Sequence, residues 1–278
     1  MKKNSPEKIR IVSSDLNGTL VHQHTMSDMI RIAFPDEPVR YEKAKAVFAR
    51  QTSGLLGMKE TFEIAGPLTK GLSLRKAIEY ARSEMRFLIG FDELLSAFGR
   101  KGIYFVINST GYTVTTEVIR AVYGTEKIHE VICNRLIFGQ ADKAVSDNDL
   151  SALVKNYFRG LHSDKIYDEV LATGEVELGI GDESQKAQQL FEIAERLDIP
   201  RTALVHIGDT MGDSRGIYET ALNGGLGIGF NYNDALKTYL EGLLKNEKLP
   251  GEILLIEAKS ETSDLRRISD ILLTRAAI

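Results

Sequence analysis

Several residue types and patterns are scarce in this 278-residue sequence, which has one cysteine, no tryptophan and six prolines. The single Cys133 excludes an internal disulfide and any metal site built from several cysteines, as is typical of a reducing compartment. No uncharged apolar run approaches the roughly 20 residues that a membrane-spanning helix needs. Residues 1–6 carry positive charge but no apolar stretch follows them, so export is not expected. These absences predict a cytoplasmic protein without a membrane partner.

An excess of charge of one sign is also missing. The 35 basic and 39 acidic residues give a net charge of −4, and the basic residues are scattered. The chain therefore lacks the basic patch by which proteins bind nucleic acid. With 43% hydrophobic and 27% charged residues, the composition is that of an ordinary folded protein. The length predicts one sizeable core and a smaller second domain.

What is present is an alternation of strands and helices. Short apolar runs bounded by turn residues predict buried strands at residues 9–13, 103–107, 176–180, 203–207, 226–230 and 253–256. Helical patterns lie between several of them, such as the apolar stripe formed by Ala187, Leu190, Phe191, Ala194 and Leu197. The alternation predicts an α/β fold with a doubly wound parallel sheet covered on both faces.

The strand rhythm is interrupted between residues 22 and 88, where the pattern is mostly helical. We predict an inserted helical cap domain at 22–88, with residues 1–21 and 89–278 forming the core. After it, residues 91–98 predict a short helix and residues 99–102 the turn into the next strand. An insertion so much longer than ~15 residues favours a substrate chamber over a simple loop.

Polar side chains follow the ends of the first two predicted strands. Asp15 lies directly after the first, and the second runs into Asn108, Ser109, Thr110 and Gly111. Hydroxyl and backbone N–H groups in such a turn can bind an oxyanion. Taken alone, the first segment is equally typical of a plain turn and the second of a Ser/Thr helix N-cap.

Two further segments carry charge at the start of a helix or the end of a strand. Lys186 lies in a first helical turn, with Ser184 as the expected N-cap, and there it opposes the helix dipole. A bound phosphate would explain that placement, although surface lysines are common. Asp209 and Asp213 follow the strand that contains His206, which we interpret as a core residue. Because the carboxyl ends of parallel strands share one edge of a sheet, all four segments are expected to meet there.

In this order the four segments resemble the four sequence motifs of the haloacid dehalogenase superfamily of phosphatases. The resemblance implies that Asp15 attacks phosphorus and that Ser109 and Lys186 hold the phosphoryl oxygens. It implies a Mg²⁺ site formed by Asp15, Asp209, Asp213 and the backbone carbonyl of Asn17. The implied phosphate-binding residues are Leu16, Asn17, Ser109, Thr110 and Lys186, and the implied catalytic residues are Asp15, Asn17, Ser109 and Lys186.

The helical insertion and residues 133–138 resemble the phosphoserine phosphatase-like branch of that superfamily. The resemblance implies a cap that closes over a small phosphorylated metabolite and excludes water, so specificity is expected to lie in residues 22–88. It names no one metabolite and no oligomeric state.

Asn17 departs from the family pattern, in which the second residue after the nucleophile is an aspartate that protonates the leaving group and activates water. An amide cannot transfer a proton at neutral pH. General acid–base catalysis contributes about 10²- to 10⁴-fold, so we expect slower turnover with metal and phosphate binding retained. Three interpretations stay open: a natural enzyme with another base, an engineered Asp→Asn trap, or a protein that binds a phosphorylated metabolite or partner without turnover.

Other nucleotide- and phosphate-binding classes fit less well. The chain has no G-x-x-x-x-G-K-[ST] segment, which a P-loop nucleotide enzyme needs. A dinucleotide-binding oxidoreductase needs G-x-G-x-x-G after its first strand, but here residues 15–18 read Asp-Leu-Asn-Gly. A phosphoryl-accepting signalling domain also uses an aspartate, Mg²⁺ and a lysine, but such domains are much shorter and have no cap insertion.

Overall fold

The computed structural model describes residues 8–141, 143–257 and 263–276; the N-terminal residues 1–6 discussed above lie outside these ranges. The strands are β1 (Ile11–Ser14), β2 (Tyr104–Tyr112), β3 (Glu130–Gln140), β4 (Lys143–Ala144), β5 (Leu171–Glu177), β6 (Leu204–Gly208), β7 (Leu226–Phe230) and β8 (Glu252–Ile256). Among the described residues, no helix has the length and apolar character needed to cross a bilayer.

The first α-helices are α1 (Thr25–Ala33), α2 (Pro38–Thr52), α3 (Met58–Ala65), α4 (Leu74–Glu79), α5 (Phe91–Lys101) and α6 (Thr113–Tyr123). They are followed by α7 (Asp147–Asn156), α8 (Ile166–Glu169), α9 (Gln185–Arg196), α10 (Ser214–Leu222), α11 (Asp234–Asn246) and α12 (Arg266–Ala276). Short 3₁₀ turns lie at Gly66–Thr69, Arg201–Ala203 and Met211–Asp213, and π-helical turns at Tyr80–Glu84 and Tyr157–Leu161.

The strands form one sheet in the order β4-β3-β2-β1-β6-β7-β8, with β5 also paired to β3. The six strands from β3 to β8 along this order are parallel, whereas β4 and β5 pair antiparallel with the outer half of β3. Helices cover both faces of the parallel part. Successive residues of β1 show this, since Ile11 packs in the cluster that contains α9 while Val12 packs in the cluster that contains α5 and α12. The predicted doubly wound α/β architecture is confirmed.

Residues 22–88 are mostly helical, as predicted, and contain α1 to α4. The two connections to the sheet run side by side, because Leu88 N donates to Leu20 O and His22 N to Arg86 O, each at 2.9 Å. The helices share one apolar core with parts of α6, α7, β3 and β5. The helical segment is thus supported by chain that follows it, and the division at residues 21/22 and 88/89 stays a prediction.

Two sequence-based strand predictions need correction on the far side of the sheet. The strand predicted at residues 176–180 is β5, at Leu171–Glu177, because Ile180 N donates to the Asn134 side chain at 2.9 Å instead of continuing a ladder. The long β3 was missed. Its outer half is only partly buried and carries Arg135, which pairs with Glu177 and Asp147, so it lacks a simple apolar run.

The predicted turn at residues 108–111 is instead the end of β2, which extends to Tyr112. The pairing of β2 with β3 shifts register between Asn108 and Tyr112, so the strand bulges at this point. Asn134 Nδ2 donates to Thr110 O at 3.0 Å and supports the bulge from the neighbouring strand. Ser109 and Thr110 are therefore presented by an irregular strand, and α6 begins only at Thr113. The helix predicted at residues 91–98 is also longer and ends at Lys101.

Candidate active site

The carboxyl ends of β1, β2 and β6 and the first turn of α9 bring the predicted polar residues to one place. A cavity of about 160 Å³ opens there. Its sheet side, here called the floor, consists of Asp15, Asn17, Lys186, Asp209 and Asp213, all of which are buried. The prediction that these residues share one edge of the sheet is confirmed.

Lys186 lies at the centre of the floor. Its ammonium Nζ is 2.9 Å from Asp15 Oδ1 and 2.5 Å from Asp213 Oδ1, and only 1% of the side chain is exposed. The lysine is placed by α9, whose first N–H groups are capped by Asp182: its Oδ1 accepts from Ser184 N at 2.8 Å and Gln185 N at 3.3 Å. Ser184 occupies the N-cap position, as predicted, but its side chain does not cap the helix.

The ionisation of the floor reflects burial first and neighbouring charges second. Burial raises the pKa of Asp15 to about 6, with Lys186 opposing the rise and Asp213 adding to it. Burial and the charges of Asp15 and Asp213 raise the pKa of Asp209 well above its usual value. Burial also opposes the charge on Lys186, but the two carboxylates outweigh it and raise the lysine pKa. One lysine therefore does not compensate three clustered acids.

The three acids have the chemistry of a divalent cation site. One carboxylate oxygen from each of Asp15, Asp209 and Asp213 lies within 4.8 Å of the others. Hard oxygen ligands of this kind suit Mg²⁺, and the uncompensated negative charge favours a cation. Gly18 keeps the site open, because a Cβ at this residue would lie 2.1 Å from Asp209 Oδ2 and its φ is +75°. The residues present fit the metal that the resemblance implies.

Asp213 differs from the other two acids because both of its oxygens already accept hydrogen bonds. Oδ1 accepts from Lys186, and Oδ2 accepts from the backbone N–H of Asp209 at 3.2 Å and of Thr210 at 3.4 Å. Burial opposes its charge, but Lys186 and His206 outweigh that effect and hold the pKa of Asp213 at about 2. Asp213 thus orients the lysine and the Asp209 loop, and its predicted metal contact stays a prediction.

His206 is the core residue that the sequence predicted. It is fully buried, its Nδ1 lies 3.1 Å from Ser13 Oγ, and its Nε2 lies 3.5 Å from Asp213 Oδ1. Burial lowers its pKa. The ring lies behind Asp213 and is not among the residues that line the cavity.

The phosphate-binding predictions have different surroundings. Thr110 lines the cavity. Ser109 is fully buried beside it; its hydroxyl accepts from Gly111 N at 3.2 Å and helps to stabilise the Asp15 carboxylate. The Leu16 side chain packs in the core beneath the sheet edge, so only its backbone could serve a phosphate. Phosphate binding by all three residues stays a prediction.

Asn17 connects the floor to the helical segment. Its Oδ1 accepts hydrogen bonds from Thr25 N at 2.9 Å and Thr25 Oγ1 at 2.7 Å, at the start of α1. Its amide nitrogen lies near Ser109, since a Cβ on Gly111 would be 3.4 Å from Ser109 Oγ and 3.5 Å from Asn17 Nδ2. The side chain is therefore held as an acceptor for α1 and carries no proton that it can transfer.

The helical segment supplies the opposite wall of the cavity, which sequence reasoning assigned only to residues 22–88 as a whole. This wall, here called the roof, consists of His22, Gln23, His24, Gln51 and Thr52. Burial lowers the pKa of His24 to about 4, so its ring is neutral at pH 7. A signal for Gln51 exists in the sequence: it continues the buried stripe of Ala44, Val47 and Phe48 on α2, where an apolar residue would be expected.

Comparison with known proteins gives related sequences and folds, although no family model matches the chain. A phosphoserine phosphatase from Archaeoglobus fulgidus is 25% identical over 252 residues, which are 91% of this chain and 61% of the relative. The chain thus spans about three fifths of the length of that curated relative.

Solved structures with the same fold cover nearly the whole chain. A phospho-aspartyl intermediate analogue of phosphoserine phosphatase has a TM-score of 0.67 at 21% identity and covers 95% of this chain and 99% of its own. A HAD family hydrolase from Salmonella enterica serovar Typhi has a TM-score of 0.63 at 19% identity, covering 85% of this chain and 68% of its own. These similarities establish the fold.

Proposed function

We propose that this chain, a member of the haloacid dehalogenase superfamily with the phosphoserine phosphatase fold, is a metal-dependent phosphatase acting on small phosphate monoesters through an aspartyl phosphate on Asp15. The observation that carries the proposal is the buried contact of Lys186 with Asp15 and Asp213, beside Asp209, at the carboxyl edge of the sheet. The volume of about 160 Å³ supports a small substrate, since pockets for larger ligands have roughly 300–1,000 Å³.

The first step is an in-line displacement. The Asp15 carboxylate attacks phosphorus, a bond from its oxygen to phosphorus forms, and the bond from phosphorus to the leaving oxygen breaks. Lys186 neutralises charge on the phosphoryl oxygens, with Ser109 and Thr110 as the proposed hydrogen-bond donors. Asp15 and Asp209 would hold Mg²⁺, which when bound supplies positive charge that reduces repulsion between carboxylate and phosphate.

The second step, hydrolysis of the aspartyl phosphate by water, lacks the usual proton-transfer group because residue 17 is asparagine. Asn17 Oδ1 is engaged with Thr25, so it orients the helical segment over the site instead. Water attacks phosphorus in this step, and the bond from phosphorus to the Asp15 oxygen breaks, which restores the carboxylate and releases phosphate. In the first step, the alcohol oxygen that leaves must likewise take its proton from solvent. Phosphoryl capture from a good leaving group should therefore be faster than release of phosphate.

Pre-steady-state hydrolysis of 4-nitrophenyl phosphate with Mg²⁺ tests this proposal. We expect a burst of nitrophenol close to one equivalent, followed by slow turnover, because attack needs no acid while water activation does. The Asp15→Asn variant is the matched control and should show no burst. If the unmodified chain shows neither burst nor turnover, the proposal is wrong and the alternative, a phosphate-binding protein without catalysis, is favoured.

The Asn17→Asp variant tests the account of residue 17. A carboxylate can accept the same two hydrogen bonds from Thr25, so the fold should be retained. We expect steady-state kcat to rise by about 10²- to 10⁴-fold both for alkyl phosphates, which have poor leaving groups, and for 4-nitrophenyl phosphate, because the carboxylate restores water activation. The rate of the nitrophenol burst should change much less, because attack on this ester needs no acid. If kcat rises for neither kind of ester, the account of Asn17 as a missing acid/base group is wrong.

The predicted partner is a small phosphorylated metabolite, and no nucleic-acid or membrane partner is proposed. The cytoplasmic location stays a prediction from composition.

A further inference from the structure

The roof contains one polar side chain that is buried and faces the cavity without a protein partner. Gln51 is 4% exposed and lines the cavity. Within residues 8–141, 143–257 and 263–276, no group hydrogen-bonds to its amide. Because the side chain lines the cavity, its amide can both donate to and accept from a ligand or water there.

The fold holds this amide against the loop that follows Asp209. A Cβ on Gly212 would lie 3.2 Å from Gln51 Nε2, so the amide lies directly over Gly212. Asn233 fixes the distance between the two walls: its Nδ2 donates to Thr52 O at 2.9 Å, and its backbone N–H donates to Asp209 O at 2.9 Å. Gln51 is thus positioned relative to the acidic cluster and not by its own helix alone.

The roof is polar and contains no aspartate, glutamate, lysine or arginine, and its titratable groups are His22 and His24. Among the described residues that line the cavity, the only lysine or arginine is Lys186 and the only acids are Asp15, Asp209 and Asp213, all on the floor. Gln51 and Thr52 are uncharged, and burial keeps His24 neutral. Gln23 is already engaged, since its amide bonds the backbone of Glu84 and Arg86.

Such a wall distinguishes leaving groups by charge. The ammonium of serine would lose water in the cavity without gaining an acidic partner in the roof. A hydroxyl group loses less, because the amide of Gln51 can both donate to it and accept from it. The roof therefore matches an uncharged, hydroxylated leaving group.

We propose that the substrate is a phosphate ester of a polyol or sugar, and that Gln51 is the residue that selects its uncharged leaving group. This inference rests on the proposed phosphatase function, because it assumes that the phosphoryl group lies on the floor. It separates this chain from the substrate named for the relatives of the same fold.

The experiment compares three ligands on the full chain with Mg²⁺, using the Asp15→Asn variant to prevent turnover. Glycerol 2-phosphate represents the neutral class, O-phospho-L-serine the zwitterionic class, and inorganic phosphate reports the floor alone. Both esters have alkyl leaving groups, so they differ mainly in charge. By calorimetry we expect glycerol 2-phosphate to bind at least about tenfold more tightly than O-phospho-L-serine, because the latter would place an uncompensated charge in the cavity.

A second substitution in that variant, Gln51→Met, keeps the length of the side chain and removes its hydrogen bonds. It should weaken the binding of glycerol 2-phosphate by about threefold to tenfold, as expected for the loss of one neutral hydrogen bond, and leave the binding of inorganic phosphate unchanged. Gln188→Met, the same change at an exposed position of α9, should alter neither.

Two results would overturn the inference. One is that O-phospho-L-serine binds as tightly as glycerol 2-phosphate, and the other is that Gln51→Met weakens the binding of inorganic phosphate as much as that of glycerol 2-phosphate. Hydrolysis of 4-nitrophenyl phosphate by the unmodified chain is measured separately. Its absence would contradict the phosphatase function, whereas hydrolysis together with a preference for O-phospho-L-serine would contradict only the choice of leaving group.

Discussion

The two walls of the cavity are built in opposite ways. On the floor, Asp15, Lys186 and Asp213 form a connected set of charged hydrogen bonds, and Thr19 Oγ1 donates to Asp209 at 3.2 Å. In the roof, the Gln51 side chain has no hydrogen bond to any described residue, and the backbone of the adjacent Thr52 is held by Asn233. The floor is preorganised for a charged group before any ligand binds, whereas the roof completes its hydrogen bonds only with one.

This difference separates chemistry from selection. Preorganised charges in a dry site stabilise developing charge without reorganisation, which suits phosphoryl transfer. Unpartnered neutral groups instead favour the ligand that satisfies them, which suits discrimination among leaving groups. The two walls should therefore respond differently to substitution.

The largest expected effect is that of Lys186→Met on stability. Removing one partner of a buried ion pair leaves uncompensated charge and costs about 3–5 kcal/mol, so the free energy of unfolding of the metal-free protein should decrease by that amount. Urea denaturation measures it. Gln51→Met, the matched change in the roof, should alter the unfolding free energy by less than ~1 kcal/mol, because the Gln51 amide makes no hydrogen bond within the part of the chain that the structure describes. Similar losses in both variants would remove the distinction between the walls.

The next effect is that of the metal on the floor. At a Mg²⁺ concentration one hundred times its Kd, the protein should gain about 2.7 kcal/mol of stability. The gain should be smaller in Asp209→Asn, which removes a ligand, and unchanged in Gln51→Met. Thermal unfolding with and without Mg²⁺ measures both, and a gain that survives in Asp209→Asn would place the cation elsewhere.

The pH dependence of metal-free stability follows from the same acids. Asp15 has a folded pKa of about 6 against an ordinary value of 3.8, so the folded protein binds its proton more tightly and stability should fall as pH rises through that interval. Asp213 has the opposite effect at lower pH. Its stabilising contribution is present above pH 3.8 and is lost as the pH falls towards about 2. Saturating Mg²⁺ should abolish the decline between pH 3.8 and 6, and its persistence would contradict the site.

The floor could be predicted from the sequence because one topological rule brings it together. Asp15, Lys186 and Asp209 lie near the ends of buried strands or the start of a helix, and parallel strands end at a common edge. The interval from residue 108 to 111 was misread as a turn because small hydroxyl residues and glycine are typical of turns. There the cross-strand hydrogen bond from Asn134 keeps the chain extended, which no local pattern reveals.

The roof could not be predicted residue by residue. Gln51 lies against the loop of the floor where Asn233, far along the chain, donates hydrogen bonds to both Thr52 O and Asp209 O. Its position on the buried stripe of α2 was the only local sign. Likewise, the core that the helical segment shares with β3 and β5 depends on contacts between distant parts of the chain. The sequence therefore indicated the helices but not the strands on which they pack.

The smallest expected effect concerns the link between the walls. Thr25 is fully buried at the start of α1, and its hydroxyl donates to Asn17 Oδ1 at 2.7 Å. Thr25→Val keeps the shape of the side chain and removes this hydrogen bond, so the unfolding free energy should fall by about 1 kcal/mol in urea denaturation.

Thr25→Ser is the control that keeps the hydroxyl and removes the methyl group. If it costs as much as Thr25→Val while keeping the hydroxyl, the loss would belong to packing and not to the link with Asn17. The Mg²⁺-dependent gain in stability should be the same in both variants, because Thr25 contacts the acceptor of the link and not the acidic cluster. A reduced gain in Thr25→Val alone would show instead that the first turn of α1 helps to hold the metal site, so that the helical segment and the floor would act as one unit.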